Sequence, residues 1–287
     1  MEIEVAPESV SGPDSAPAPP SAGAGHALDV TLLRTSCLLI EYGGLRILTD
    51  PFFHRTMRGL PIFRPPGIPL ERVGRIDIVV ASHLHRDHFD LQAVRQLAHP
   101  QMVLVGCPGT AAFCAGAGLP RIVEIAPWQE TTVGDVRLTA TPADHTGPPP
   151  AEVNVVIRLG PWRIFFGGDA RYSEAFTEIG ERLGPIDVAL LPIGGTRIFG
   201  QRTTMDPADA VRACADLRPR WAVPIHEGGE WLPVPPASWH PGRFHHFVTA
   251  MQRSGQSSVA VAVEPGETAR FVSGDADSGV THMRWLR

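Results

Sequence analysis

The chain contains no lysine, since all 25 of its basic residues are arginine. This absence excludes Schiff-base chemistry, which needs a lysine amine. Long hydrophobic runs are also missing. Apolar runs such as 78–81 and 188–191 are strand-sized, and none approaches the roughly 20 residues of a membrane-spanning helix. We therefore expect no membrane span.

Cysteines are few, and no two of them form a C-x-x-C pair; they are Cys37, Cys107, Cys114 and Cys214. Three lie in apolar surroundings, which favours buried, reduced thiols over disulfides or metal ligands. The acidic N-terminus is not followed by the apolar segment of a secretory signal. These features together predict a cytoplasmic protein.

Positive charge is in short supply as well, because 30 acidic residues outweigh the 25 arginines and leave a net charge of −5. This charge balance argues against sequence-independent binding of nucleic acid. A hydrophobic share of 43% with 19% charged residues is typical of a globular protein. We expect a small-molecule substrate and no nucleic acid as partner, and the oligomeric state stays open.

The first 26 residues differ in composition from the remainder of the chain. They are rich in proline, alanine, serine and glycine and have almost nothing apolar to bury. We predict a disordered tail over residues 1–26 and one domain over residues 27–287.

Short β-branched and aliphatic runs begin at Leu28 and recur to Val272, which predicts strands. The predicted strands cover 30–33, 37–41, 45–49, 76–81, 102–105, 121–125, 136–140, 153–159, 162–166, 188–192, 221–225, 259–263 and 269–272. Helices are predicted at 90–97, 206–217 and 243–253, the first two capped by aspartate. Sheets covered by helices follow from this order. The proline-rich segment 52–73 predicts a long surface loop that covers a functional site.

The strongest chemical signal is the block from Ser82 to His88, which directly follows an apolar strand. It places three imidazoles and one carboxylate (His83, His85, Asp87 and His88) within six residues. Histidine nitrogens and aspartate oxygens that leave one strand end together suit a borderline divalent cation. The alternative, a polar loop of solvated histidines, requires this dense pattern to arise by chance.

Further donors follow other predicted strands. His145, Asp169 and His226 each lie at the exit of an apolar run, and Asp169 comes after two glycines that permit close backbone approach. Asp144 is an alternative ligand beside His145. The pattern predicts that side chains distant in sequence complete a metal site.

In their order, Asp50, the H-x-H-x-D-H block, His145, Asp169 and His226 resemble the five motifs of the metallo-β-lactamase fold. The resemblance covers Leu28 to Val272 and implies an α/β (α+β) fold, a four-layer αββα sandwich. Segments 48–51, 192–195 and 204–207 resemble the branch that contains ascorbate-6-phosphate lactonase and N-acyl-phosphatidylethanolamine phospholipase D-like hydrolases. The chain departs from the phospholipase-like members at Thr204, where they often have histidine, and this argues against a lipid phosphodiester.

This resemblance implies two metal ions. His83, His85 and His145 would hold one, Asp87, His88 and His226 would hold the other, and Asp169 would bridge them. Asp50 would orient a ligand from behind. The ions would be zinc, with manganese as the alternative, and they would make a hydroxide available at neutral pH. Asp87 and Asp169 would be the catalytic carboxylates.

Substrate-binding candidates lie in the loops near these motifs. They are Arg171, Tyr172, Arg197, Arg202, Trp231 and His245. Arginine forks suit a phosphate or carboxylate, although surface arginines and core tryptophans are the alternative interpretation. His240, His245 and His246 form a second cluster, which we interpret chiefly as the solvated face of a helix.

The function that these features predict is a dinuclear metal-dependent hydrolase. It would use a metal-bound hydroxide on a small ester, lactone, amide or phosphodiester. Histidine at position 85, where di-iron flavoproteins of the superfamily carry glutamate, disfavours redox chemistry. Two alternatives remain open: a nuclease of the same fold and a non-enzymatic, metal-stabilised binding protein.

Overall fold

The computed structural model describes residues 27–57, 60–62, 64–145, 152–228, 237–272 and 284–286, so the predicted tail over 1–26 lies outside the described residues. The strands are, in chain order, β1 (Ala27–Arg34), β2 (Cys37–Tyr42), β3 (Leu45–Thr49), β4 (Thr56–Met57), β5 (Leu60–Pro61), β6 (Ile78–Ala81), β7 (Val103–Gly106), β8 (Ile122–Glu124), β9 (Glu130–Val133), β10 (Val136–Pro142), β11 (Val153–Leu159), β12 (Trp162–Phe166), β13 (Val188–Pro192), β14 (Arg197–Ile198), β15 (Gln201–Arg202), β16 (Trp221–Ile225), β17 (Ser238–Trp239), β18 (Val259–Ala260), β19 (Thr268–Val272) and β20 (Arg284–Leu286). The helices are α1 (Leu70–Val73), α2 (Leu91–Leu97), α3 (Thr110–Phe113), α4 (Ala175–Leu183), α5 (Pro207–Leu217) and α6 (Phe244–Ser254).

Most strands belong to two large mixed sheets. One has the order β20-β19-β1-β2-β3-β6-β7-β8, and the other has the order β18-β16-β13-β12-β11-β10-β9. Two small ribbons, β15-β14-β17 and β4-β5, lie outside them. Strands β3, β6, β7 and β8 run parallel, as do β12, β13, β16 and β18. Parallel neighbours end at the same sheet edge, and this places their following residues side by side.

The strands of the first sheet alternate between two hydrophobic cores. In β6, Ile78 and Val80 pack toward the second sheet, whereas Val79 and Ala81 pack in the core that includes Val94 of α2. This period of two is the expected result when both faces of a strand are buried. Helices α1 and α2, with Cys114 directly after α3, contribute to the outer core of the first sheet, and α4, α5 and α6 contribute to the main core with the second sheet. The layers are therefore helix, sheet, sheet and helix, as predicted.

Most predicted elements are present, with small differences at their ends. The nine-residue helix α4 and strand β9 were not predicted. Helix α4 begins after Glu174, which makes no side-chain capping bond, so the usual start signal is missing from the sequence. The four cysteines are free and buried, which confirms their predicted structural role.

No helix among the described residues combines the length and the apolar character that crossing a bilayer requires.

A buried arginine anchors the segment between β3 and β6. Arg34 is 2% exposed, and its guanidinium donates to the carbonyl of His54 at 2.8 Å and to that of Arg64 at 2.5 and 3.2 Å. The same group lies 4.8 Å from the ring centroid of Phe52. The loop predicted over 52–73 contains β4, β5 and α1, and the described part of it is held against the end of β1.

We expect Arg34→Met to lower the free energy of unfolding by about 3 kcal/mol, because it leaves buried carbonyl oxygens without their donor. Urea denaturation measures the change. Arg253→Met, which removes an exposed guanidinium from α6, is the control and should change the value by less than about 0.5 kcal/mol. Equal stability of the two variants would show that Arg34 does not anchor the segment.

Candidate metal centre

The ends of strands from both sheets meet at one edge of the sandwich. Thr49 of β3 pairs with Val80 of β6, so Asp50 and the block after β6 leave the first sheet together. Strands β10, β12 and β16 of the second sheet end at the same edge, followed by His145, Asp169 and His226. Hydrogen bonds join the sheets here: His226 N donates to Thr35 O at 2.9 Å, and Val153 N donates to Ser82 O at 3.1 Å.

Three groups of three potential ligands form at this edge; one of them, Asp50, His83 and His88, shares a member with each of the other two. The potential ligand atoms of His83, His85 and His145 all lie within 4.8 Å of one another. The same holds for Asp87, His88 and His226. We call these the first and the second triad. Their members are those that the sequence predicts for two metal ions.

Asp169 lies between the triads. Its Oδ1 is 3.4 Å from His226 Nε2, and its Oδ2 is 3.7 Å from His88 Nε2. The same Oδ2 is 3.9 Å from Nδ1 of His145, a member of the first triad. One carboxylate is therefore near side chains of both groups, the position that a bridging ligand requires.

Several buried polar atoms of the centre have no hydrogen-bond partner among the described residues. They are His83 Nε2, His88 Nε2 and Asp169 Oδ1. A buried polar atom left in this way costs about 1–3 kcal/mol. Imidazole nitrogens and carboxylate oxygens in this number match the preferences of zinc and manganese. The residues present therefore fit divalent cations.

Burial controls the protonation of the imidazoles. It lowers the pKa of His83 well below its usual range, that of His145 to about 4 and that of His226 to about 3, with repulsion from neighbouring imidazoles in the same direction. These rings are neutral at neutral pH and have a lone pair to offer. Burial acts in the same sense on His88, but its hydrogen bond to Asp50 and the carboxylates of Asp87 and Asp169 outweigh this and raise its pKa to about 10.

Asp50 orients two of the rings from behind. The buried carboxylate accepts hydrogen bonds from Ser82 N at 2.7 Å, Ser82 Oγ at 2.6 Å and His88 Nδ1 at 2.7 Å. Because Ser82 Oγ gives its proton to Asp50, the hydroxyl is free to accept from His83 Nδ1, which lies 3.0 Å away. Both rings then direct Nε2 forward as a potential ligand. Support of a bound metal by Asp50 stays a prediction.

The backbone is strained at two of these positions. Asp50 has a φ of 34° and His226 a φ of 51°, the left-handed region that non-glycine residues rarely adopt. Such conformations cost on the order of 1 kcal/mol or more and cluster at functional sites. Here they turn the side chains inward as the chain leaves its strands.

Glu152 is a buried carboxylate of the centre that was not predicted. Its Oε1 accepts from Asp169 N at 2.5 Å and lies 3.6 Å from His83 Nδ1, and its Oε2 lies 3.5 Å from His145 Nδ1. Burial raises the pKa of this carboxyl to about 8. Glu152 directly precedes β11, which runs antiparallel to β10 and β12 and therefore starts at the edge where they end. An acidic residue before an apolar strand was the signal in the sequence.

Gly168 makes room for this carboxylate. A Cβ at this position would lie 2.2 Å from Glu152 Oε1 and 2.7 Å from Ser82 Oγ, and its φ is 50°. Only glycine fits here without displacement of the groups behind the triads.

Two of the three predicted substrate-binding arginines are paired with carboxylates. Arg171 Nη2 lies 2.5 Å from Asp144 Oδ1, and Arg202 pairs with Asp206 and Asp209. Asp144, the alternative ligand beside His145, is thus engaged outside the triads. A cavity of about 630 Å³ has the following lining residues: Asp144, Arg171, Tyr172, Gln201, Arg202, Asp209 and Arg212.

The other candidates are dispersed. Tyr172 donates its hydroxyl to Asp216 at 2.7 Å, Arg197 is exposed on β14, and His245 is exposed on α6. Trp231 lies outside the described residues. Substrate contact by any of these side chains stays a prediction.

The interpretation of His240 as part of a solvated helix face is wrong. His240 precedes α6 and is 6% exposed, whereas His245 and His246 are exposed on the helix. The prolines and glycine around His240 end the strand before the helix starts, so the cluster divides between two environments.

Comparison with known proteins identifies the family. The β-lactamase superfamily domain matches residues 45–226. The chain belongs to this superfamily. An uncharacterized protein of Mycobacterium tuberculosis is 34% identical to this chain in the matched region. The match covers 72% of this chain and 60% of the relative's length.

Two further relatives have names that describe an activity. A metal-dependent hydrolase of Nitratidesulfovibrio vulgaris is 34% identical over 66% of this chain and 75% of its own length. N-acyl-phosphatidylethanolamine-hydrolyzing phospholipase D 1 of Caenorhabditis elegans is 27% identical over 70% of this chain and 64% of its own length.

The fold has close structural counterparts. Igni18, a metallo hydrolase from Ignicoccus hospitalis, has a TM-score of 0.70 at 23% identity and covers 86% of this chain and 100% of its own. This likeness and the layer order confirm the metallo-β-lactamase fold predicted for the chain.

We expect Gly168→Ala to lower the free energy of unfolding by about 3 kcal/mol, because the added methyl group meets Glu152 and Ser82. Gly43→Ala is a matched control, since Gly43 has a φ of 59° and nothing within 4 Å of its added Cβ. It should cost only about 1 kcal/mol, the cost of the left-handed backbone. Equal losses in urea denaturation would refute the steric role of Gly168.

Proposed function

We propose that this protein is a dinuclear metal-dependent hydrolase whose two triads each hold one divalent cation. The observation that carries the proposal is the arrangement of the two triads on either side of Asp169, with buried ring nitrogens that lack partners among the described residues. A structural site needs four closed ligands, whereas six donors around a shared carboxylate, seven donor residues in all, suit a pair of ions.

In this proposal His83, His85 and His145 would hold one cation, Asp87, His88 and His226 would hold the other, and Asp169 would serve both. Zinc is favoured by the number of imidazoles, with manganese as the alternative. When bound, such cations would supply Lewis-acid chemistry, which makes hydroxide available near neutral pH and offsets negative charge on a carbonyl or phosphoryl oxygen.

Asp87 has the position of a proton-handling residue. Its side chain is 24% exposed, against 8% for Asp169 and 0% for His88, so it borders the open side of the centre. Burial raises the pKa of its carboxyl, but electrostatic interaction with the neighbouring imidazoles, that with His88 first, outweighs this and lowers it overall. An ionised carboxylate at this place can take up a proton from an attacking water and then pass that proton to the leaving group.

The substrate class that we propose is a small ester, lactone, amide or phosphodiester. Thr204, which stands where phospholipase-like members often have histidine, is fully buried and accepts from Thr196 N at 3.0 Å. Its hydroxyl is engaged within the loop, which supports a substrate other than a lipid phosphodiester. Because Arg171 and Arg202 are paired with aspartates, an anionic substrate has to compete with these carboxylates.

The test compares the zinc-loaded and the chelator-treated protein on bis(p-nitrophenyl) phosphate, p-nitrophenyl acetate and a γ-lactone. We expect hydrolysis of at least one of them by the loaded protein, loss with chelator and recovery when zinc or manganese is restored. A loaded protein that binds two ions and turns over none of the three contradicts the ester, lactone and phosphodiester classes of the proposed range.

We expect His83→Ala and Asp169→Ala to lose bound metal together with at least 100-fold in turnover, while the fold persists. The reason is that each removes a donor that both the cation and the reaction require. Elemental analysis measures the metal, and circular dichroism checks the fold. His246→Ala, an exposed histidine on α6, is the control. Full metal content and turnover in either test variant would show that the ligand assignment is wrong.

We also expect Asp50→Asn to weaken metal binding by about 10- to 100-fold, since the amide cannot accept from Ser82 and His88 as the carboxylate does. Competition with a chromogenic chelator gives the affinity. Asp29→Asn, which removes a carboxylate paired with Arg270 on the first sheet, is the control. Unchanged affinity in Asp50→Asn would remove Asp50 from the support of the centre.

A further inference from the structure

The cavity that contains Arg171 and Arg202 includes no member of either triad. Its volume is about 630 Å³, within the range of roughly 300–1,000 Å³ that small-molecule pockets have. Three guanidiniums line it, those of Arg171, Arg202 and Arg212. They come from the loop after β12, from β15 and from α5. Folding therefore collects positive charge at one place from residues that are distant in sequence.

The carboxylates that line the cavity do not balance this charge, because there are two of them, Asp144 and Asp209. Asp144 pairs with Arg171 at 2.5 Å. Asp209 pairs with Arg202 at 2.7 Å. Arg212 lies 3.7 Å from the same Asp209, so it shares a carboxylate that already has a closer partner. The lining therefore has an excess of one positive charge, and Arg212 is its least neutralised member.

Two other aspartates bond to lining residues without lining the cavity themselves. Asp206 caps α5, where its Oδ1 accepts from the backbone N of the second and third helical residues, and it also pairs with Arg202. Asp216 accepts from the hydroxyl of Tyr172 at 2.7 Å. Both carboxylates are thus engaged outside the cavity, and the positive excess is a property of its lining.

An aromatic ring holds Arg212 in place. The guanidinium carbon lies 4.0 Å from the ring centroid of Tyr172, a cation–π contact that orients the guanidinium plane. Tyr172 stacks in turn on Phe176 of α4, with the centroids 5.7 Å apart. The side chain of Arg212 is 63% exposed, so its donors are accessible. A guanidinium positioned in advance loses little freedom when it binds an anion.

The cavity adjoins the support of the first triad. Asp144 directly precedes His145, and Arg171 N donates to Asp144 O at 2.7 Å. Arg202 directly precedes Thr203, whose carbonyl oxygen lies 3.2 Å from His145 Nδ1. A ligand of the cavity would therefore contact residues one position away from His145 and from the carbonyl that holds its ring.

We propose that this cavity binds a phosphate or carboxylate group carried by a small molecule, with Arg171, Arg202 and Arg212 as donors. Arginine forks match the paired oxygens of both groups, and the affinity depends most on Arg212, because its charge is the least neutralised. The group is either the anionic end of the substrate or part of a separate ligand. The site itself does not depend on the hydrolase proposal.

Calorimetry with inorganic phosphate and with glutarate tests the site. It uses the full chain after chelator treatment and dialysis, so that no cation of the centre binds the anion. We expect Arg212→Gln to weaken binding of both anions about tenfold or more, because the amide lacks the charge and the fork. Arg171→Gln should weaken binding in the same sense, and Arg212→Lys, which keeps the charge, should recover part of the loss.

Arg182→Gln is the matched control for the calorimetry. The guanidinium carbon of Arg182 also lies over an aromatic ring, 3.8 Å from the centroid of Trp128, but Arg182 is not part of the cavity. Its replacement removes the same charge from an exposed, stacked arginine elsewhere on the surface. We expect the affinity of this variant for both anions to equal that of the wild type.

A kinetic measurement on the zinc-loaded protein identifies the source of the group. It compares mono-p-nitrophenyl glutarate, which carries a carboxylate, with p-nitrophenyl pentanoate, its uncharged counterpart. If the group is an end of the substrate, Arg212→Gln raises the ratio of the first KM to the second about tenfold. If the group belongs to a separate ligand, the ratio stays at that of Arg182→Gln. A wild type that hydrolyses neither ester contradicts the ester class of the hydrolase proposal, and the calorimetry still tests the cavity.

Two results would overturn the inference. The first is the absence of measurable binding of either anion by the wild type. The second is equal affinity of Arg212→Gln and Arg182→Gln for both anions, because any loss would then follow from overall charge and not from the cavity. Circular dichroism checks that each variant keeps the fold.

Discussion

The structure depends on one constraint: a group of buried imidazoles and carboxylates has to find partners at the edge where two sheets meet. His83 Nε2, His88 Nε2 and Asp169 Oδ1 are buried and have none among the described residues. Divalent cations would satisfy these atoms, and burial keeps the rings of His83 and His226 neutral. The centre is therefore stable as a set rather than as separate side chains.

The residues around the centre hold its side chains and backbone in position. Asp50 and Ser82 hold the rings of His83 and His88 in the tautomer that directs Nε2 forward. Glu152 holds the backbone of Asp169 from the opposite side, in a space that Gly168 leaves open. The left-handed backbone at Asp50 and His226 is the energetic cost of turning these side chains inward. The arginine-lined cavity adjoins this set at Asp144, the residue before His145.

Much of the fold was predictable because strand signals in this chain are local. Aliphatic runs such as Val153–Leu159 and Trp162–Phe166 coincide with strands at both ends. The H-x-H-x-D-H block was predictable too, since four metal-ligating side chains at one strand exit form a dense local pattern. Its partners His145, Asp169 and His226 followed from their own strand ends.

The features that the sequence did not predict depend on contacts between residues that are distant in sequence. Helix α4 lacks a side-chain cap, and its register is set by burial of Phe176 and Ile179 against the main core. Glu152 acquires its place only when β11 runs back beside β10 and β12. His240 looked like a neighbour of His245 in sequence, but close packing against Gly228 separates their environments.

The most direct test of the central claim is a crystal structure of the zinc-loaded protein with anomalous diffraction recorded on both sides of the zinc absorption edge. Two anomalous peaks, one within the His83, His85 and His145 group and one within the Asp87, His88 and His226 group, are the predicted result. A single peak with four closed protein ligands, or peaks away from both groups, would contradict the account.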